Sequence, residues 1–511
     1  MSPRPRPPAR VSRLALLLAQ VWALLVWGTL SACSPQAGYP ARETLPPGSS
    51  PAPIASAPVP TEPAPTAPAV VHFPEYRLAL VLYPGERRLV GRQQVTVPNH
   101  TGLPLDEIVF RLYPNLPQYG GRMTVGPVSV DGQGASPTLR GEDTVLAVPL
   151  PQPLAPEASV LVDLSFEIEI PETEEGYTLF GYSHGSSHGI WSVPDGYALL
   201  AVHDGQGWHE DIAPAHGDAV FAGAALYDVT LTLPAELTLA PTGVPVGETP
   251  GADGARVYHL AGGPLREFTW LASADYRVSE TTAYGTLLRS YYLPGDQEAG
   301  EATLNIAAAA LRAYEDAFGP YPFERMIVAE APLLHYGMEY PGLNLIGLDL
   351  YREQQTQLED RVIHEIAHQW WYAQVGNDQV NTPWLDEGLA EYSLAIYYPQ
   401  VLGLAQANTL VNQRWLVPYQ VAVENGYDAV VNQPSSAFSW EYEVIVYAKA
   451  ALFFHALHQE LGDDGFRTVL QAYLERYRWE IATPEGFLET AESVSGQNLD
   501  AIYSTWILTS Q

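Results

Sequence analysis

Cysteine is almost missing from this 511-residue chain, which has only Cys33. No intramolecular disulfide can form, so packing alone must hold the fold together. A cysteine-rich structural zinc site is excluded on the same count. Lysine is equally scarce, with Lys449 the sole example. Basic residues of both kinds number 25 against 58 acidic ones, a formal net charge of −33. A field of that sign repels phosphate backbones and excludes nucleic acid as a partner. No internal repeat of useful length is found, and one long charge-free apolar run stands out, Leu14–Leu30. What remains is ordinary for a globular protein, with 47% hydrophobic and 11% aromatic residues. The length calls for two or three folded units.

The apolar run follows an arginine-rich start, Met1–Arg13, and ends in Leu30-Ser31-Ala32-Cys33. A charged segment, an apolar segment and small residues before a cut are the features of a secretory signal. The only cysteine of the chain falls at the cut. Leu-Ser-Ala-Cys resembles the lipobox of bacterial lipoproteins, which implies cleavage before Cys33 and lipidation of its sulfur. The expectation is an extracytoplasmic protein tethered to the cell membrane by that lipid, with an uncleaved signal anchor as the alternative. Residues 34–72 are mostly Pro, Ala, Ser and Thr, too poor in apolar side chains to fold. They predict an extended, disordered linker.

Short runs at Tyr76–Leu82, Leu89–Val97, Glu107–Leu112, Val160–Ile170, Tyr227–Leu233 and Glu267–Leu271 are separated by Gly and Pro, which predicts an antiparallel β domain over 73–277. Its histidines, among them His184, His188, His203, His209 and His216, are scattered and read as surface or polar-network residues. After about 278 the period changes to helical. Helices are expected at Ala302–Phe318, Asp360–Ala373, Pro383–Tyr398, Tyr447–Leu461, Gly465–Arg476 and Pro484–Val494, with a buried strand at Arg325–Ala329. The fold class is therefore α+β, a β domain followed by a mostly helical one over 278–511.

Within the helical part stands His364-Glu365-Ile366-Ala367-His368. Residues four apart share a helix face, so both imidazoles can reach one ion. Glu365 follows the first histidine, close enough to orient a water at the metal without ligating it. Eighteen residues separate His368 from Glu387, and Gly376-Asn377-Asp378 could turn a second helix back on the first. Three protein ligands with a position left open is the pattern of a catalytic zinc, one ion per chain. Glu391, one turn after Glu387, reads as an exposed carboxylate or as a partner to a ligand.

HEIAHQWW, the eighteen-residue gap and WLDEGLAEY are similar to the gluzincin metallopeptidases of the membrane-alanyl-aminopeptidase and leukotriene-hydrolase family. Tyr336-Gly337-Met338-Glu339-Tyr340-Pro341 resembles the family's G-A/G-M-E-N strand, and Val446-Tyr447-Ala448-Lys449-Ala450 its V-Y-x-K-G segment. The resemblance covers roughly 73–511. It implies a saddle-like β domain, a thermolysin-like catalytic domain and peptide substrates. His364, His368 and Glu387 would bind zinc, Glu365 would be the general base, and Tyr447 would hydrogen-bond the oxyanion. Glu339, with Gly337 and Met338 on the same strand, would bind the free N-terminus of the substrate. This chain departs from the pattern at Tyr336, where glycine is usual, and at Tyr340-Pro341, where asparagine is usual. The β-domain stretch that supplies a second amine contact has no clear counterpart; Gly207–Asp218 is the candidate for its place, on a poor match. The leading reading is a zinc aminopeptidase. A zinc peptidase without strict amine recognition and a noncatalytic surface binding lipoprotein are the alternatives.

Overall fold

The computed structural model describes residues 73–510 apart from 174–177, 185–187, 335 and 353–354. The expected signal segment, Cys33 and the linker over 34–72 lie outside the described residues. Val70–Gln511 forms one compact unit. Among the described residues no helix is long and apolar enough to cross a membrane.

The chain enters through Glu75–Tyr83, whose side chains alternate between buried and exposed as a strand with one wet face demands. It pairs antiparallel with Arg88–Pro98. Gly91 sits on the inner face there because Phe166 occupies the space of any side chain, a Cβ lying 2.1 Å from the ring. These strands belong to an eight-stranded sheet that also contains Ser159–Glu169, Ala225–Pro234 and Ala255–Leu265. Most of its pairs are antiparallel, but Glu75–Tyr83 lies parallel to Ala225–Pro234. A four-stranded and a five-stranded sheet complete the β region and share its apolar core, with Leu89, Phe110, Phe166, Trp270 and Tyr197 among the buried residues.

A last five-stranded sheet opens the second region, in the order Arg277–Ala283, Thr286–Tyr292, Arg325–Ala331, Leu343–Gly347, Gly337–Tyr340. The outer strand Gly337–Tyr340 runs antiparallel to Leu343–Gly347 and carries Glu339. Helix Gln297–Phe318 packs on this sheet and on helix Gln355–Ala367. It begins five residues before the expected Ala302, in a stretch whose Gln and Glu gave no apolar period. A further difference concerns the motif helix, expected to reach Ala373 but ending at Ala367. The two tryptophans explain the early stop. Trp370 donates to the Gly319 carbonyl at 2.9 Å and Trp371 to Ser393 Oγ at 3.1 Å, partners that a continuing helix would not present together. Helix Trp384–Val401 then folds back beside Gln355–Ala367, and Ala450–Tyr477, broken at Gly462 (φ 69°) into the two helices expected on either side of it, packs against it.

Candidate active site

Two antiparallel helices bring the motif residues together. His364, Glu365 and His368 lie at the end of Gln355–Ala367 and just past it, while Glu387 opens Trp384–Val401. All four are buried. His364 Nε2 lies 3.1 Å from Glu387 Oε2 and 3.2 Å from His368 Nε2, and His368 Nε2 lies 3.4 Å from Glu387 Oε2. A tetrahedron whose centre is about 2.0–2.1 Å from each donor has edges of about 3.3–3.4 Å. The three donors therefore stand at the separations of one face of a zinc tetrahedron.

The outer contacts fit the same group. His368 Nδ1 donates to the Trp371 carbonyl at 2.9 Å, which leaves Nε2 free to ligate. This bond exists because the helix stops after Ala367 and turns the Trp371 carbonyl back. On the other histidine, Nδ1 lies 3.1 Å from Glu391 Oε2. Glu391 is thus not exposed. It is buried, receives Trp415 Nε1 at 2.7 Å and Arg414 Nη2 at 3.0 Å, and is held ionised by that guanidinium. Arg414 and Trp415 lie in a π-helical turn, Val411–Leu416, that aims both side chains at the same carboxylate.

Glu365 lies against the strand that carries Glu339. A methyl group added at Gly337 would stand 2.2 Å from Glu365 Oε1, so the strand and the carboxylate approach closely only because residue 337 has no side chain. Burial pushes the Glu365 carboxyl up to about 7. Tyr447 donates to Glu387 Oε1, which places its phenol at the metal cluster from the third side. It lies in a second π-helical turn, Glu443–Lys449. The lone lysine follows at once. Lys449 Nζ bonds Asp428 at 2.7 Å and the carbonyls of Ala429 and Thr509, and so anchors this turn to the segment that follows the last helix, Asp500–Ile507.

Residues 302–506 match the Peptidase family M1 domain. They form an M1 peptidase domain. Aminopeptidase M1-C of Oryza sativa subsp. japonica is 26% identical over 312 residues, 55% of this chain and 34% of that protein. Puromycin-sensitive aminopeptidase of Caenorhabditis elegans is 25% identical over 395 residues, 71% of this chain and 39% of that protein. The chain thus spans between a third and two fifths of these relatives' length. In fold it resembles the crystal structure of an M1 zinc metallopeptidase from Deinococcus radiodurans, at 21% identity and a TM-score of 0.62 over 85% of this chain and 93% of that one.

In this M1 domain Glu339 is buried and accepts a hydrogen bond from Gln379 Nε2 at 3.0 Å. Single ligating atoms of Glu339, His368 and Asp386 lie within 4.8 Å of one another, so Glu339 faces the cluster of His364, His368 and Glu387 from one side. Asp386 is fixed by Asn377 at 2.9 Å and Gln379 at 2.8 Å, and burial beside Glu387 lifts it to about 7. Met338 and Glu339 border a cavity with two further acids, Asp218 and Glu267. Both come from the β region. Asp218 ends the Gly207–Asp218 stretch singled out above, whereas nothing in Arg266-Glu267-Phe268 signalled a site.

The Asp218 loop is seated by close contacts. Gly217 has φ +75° and no room for a side chain, since a Cβ would stand 2.4 Å from the Tyr442 hydroxyl. His216 Nε2 is 2.9 Å from the Ser435 carbonyl, and His209 lies 3.5 Å from Asp378. These histidines fix the loop and ligate nothing among the described residues.

Proposed function

We propose that this protein is a zinc-dependent aminopeptidase that removes N-terminal residues from peptides. The observation that carries the reading is the placement of Glu339, a buried carboxylate facing the His364–His368–Glu387 cluster from the side, where it would stop a substrate by its free ammonium group. A zinc ion held by His364, His368 and Glu387 would supply Lewis acidity for the scissile carbonyl and lower the pKa of water. Glu365 takes the proton of the attacking water and returns it to the leaving amine, a role that suits a carboxyl raised toward neutrality. Tyr447 turns from Glu387 to donate to the oxyanion. Glu339 and Asp218 hold the ammonium group from the two sides of the cleft, with Gln379 orienting Glu339. The strand Gly337–Tyr340 offers its edge to the peptide.

A digest of mixed peptides read by mass spectrometry tests this. Stepwise loss of first residues is expected, with acetylated peptides left intact, and Glu339→Ala should erode the preference for free over acetylated N-termini. Internal cuts by the wild-type protein would sink the exopeptidase reading.

We also infer that the protein works outside the cytoplasm on a lipid tether at Cys33, from the arginine-rich start, the apolar run and Leu30-Ser31-Ala32-Cys33. A palmitate analogue should label the wild type and not Cys33→Ser; equal labelling would refute the tether.

A further inference from the structure

Lysine occurs once in this chain, at Lys449, and there its charge is wholly buried. Its ammonium meets Asp428 Oδ1 at 2.7 Å, the Ala429 carbonyl at 2.7 Å and the Thr509 carbonyl at 2.9 Å. Three donors on three acceptors from two separate segments suit a compact ammonium better than a planar guanidinium.

What this arrangement fixes is the π-helical turn Glu443–Lys449, which ends on Lys449 and carries Tyr447, the donor to Glu387. The Ala450 N–H reaches back five residues to the Ile445 carbonyl. A π-helical turn holds one residue more than an α turn and is rare. If it relaxed to α geometry while Lys449 stayed in place, the residues before it would swing by about 100° around the helix axis. Tyr447 would then leave Glu387 and the ligand cluster.

The same ion pair reaches the other flank of the cluster. Tyr419 donates to Asp428 Oδ2 at 3.2 Å, and Lys449 Nζ lies 5.4 Å from the centroid of its ring. Tyr419 belongs to Val417–Glu424, which continues directly from the π-helical turn that aims Arg414 and Trp415 at Glu391, the partner of His364. Lys449 and Asp428 thus join the two π-helical turns, one behind a predicted metal ligand and one bearing the phenol.

Resting on the aminopeptidase reading above, we propose that Lys449, through its ion pair with Asp428, is a positioning residue for Tyr447. It keeps the turn wound so that the phenol meets the oxyanion, and it acts only through that turn.

A double-mutant cycle separates positioning from general support. With the zinc-loaded protein, Tyr447→Phe should lower kcat on a leucyl anilide by roughly 100- to 1,000-fold, the cost of an oxyanion donor. Lys449→Met should lower kcat by roughly 10- to 100-fold with KM little changed, since the contact it serves is made in the transition state. In the Tyr447→Phe background the same change should cost less than about threefold, because the donor it positions is already gone. Affinity for the phosphonic analogue of leucine, whose tetrahedral anion resembles the intermediate, should show the same non-additivity by calorimetry. Asp428→Asn keeps the shape and should repeat the pattern more weakly; it replaces Lys449→Met in the cycle if that variant does not fold. Equal losses with and without the Tyr447 hydroxyl would make Lys449 a support of the fold alone and overturn the proposal, as would an effect confined to KM. If Tyr447→Phe turns over normally, the oxyanion role falls and the proposal with it. If the wild type cleaves no anilide, the peptidase reading falls, and the phosphonate cycle alone decides whether Lys449 positions Tyr447.

Discussion

Glu365→Gln is expected to lower turnover by roughly 100- to 10,000-fold while the protein keeps its zinc, as read from aminoacyl-anilide hydrolysis and metal content side by side. Glutamine has the same shape and can still hydrogen-bond a water, but it cannot accept a proton. The expectation rests on where Glu365 stands. It adjoins His364 in the chain and packs against the Gly337–Tyr340 strand without being one of the three ligands, so its change to glutamine leaves all three in place. A second variant separates chemistry from position. Gly337→Ala keeps the carboxylate but drives a methyl group to 2.2 Å from Oε1. One of the two groups must move, and near-attack geometry is sensitive to displacements of about 1 Å. Gly337→Ala should therefore cost turnover as well, with zinc retained. Normal turnover in Glu365→Gln would remove Glu365 from the mechanism.

The metal cluster was legible in the sequence because its geometry is local. A four-residue spacing on one helix places His364 and His368 together whatever surrounds them, and the polar Gln374–Thr382 stretch announces the turn that returns Glu387. Alternation in Glu75–Tyr83 and Ala225–Pro234 exposed the sheets in the same way, since each strand has one wet face. Three features were hidden. The stop after Ala367 depends on where the Trp370 and Trp371 rings find acceptors, which is tertiary information. The helices Leu404–Leu410 and Val417–Glu424 lack a clear apolar stripe, because the π-helical turn between them shifts the period. Glu267 comes from the turn between two strands of the β region and meets Glu339 at one cavity only after both regions pack, whereas Asp218 lies at the end of the Gly207–Asp218 stretch that the sequence did offer. Single acids in an acidic chain carry no period and no spacing that could betray such a meeting.

That packing depends on one residue to an unusual degree, and Arg266→Met should lower stability by about 3–5 kcal/mol. Arg266 is wholly buried between the β region and the segment that follows His368. It bonds the carbonyls of Tyr372, Gln374 and Glu480 on one side and Ala222 on the other. Burial pulls its guanidinium down only to about 10, so it stays cationic at neutral pH. Methionine fills most of the volume but donates nothing, which leaves three buried carbonyls and that of the exposed Glu480 without this partner. Lysine should rescue little, because a point charge cannot span carbonyls that a planar fork reaches together. Gly376 is part of the same arrangement, for a Cβ there would stand 2.3 Å from Arg266 Cζ. Since Tyr372–Gln374 continues from the turn that offers the Trp371 carbonyl to His368, the loss should also loosen the metal. Urea unfolding followed by tryptophan fluorescence measures the first effect, and zinc retained against a chelator measures the second. A change below about 1 kcal/mol, within the range of an ordinary substitution, would mean that the two regions are held by the apolar contacts around Arg266 and not by its hydrogen bonds.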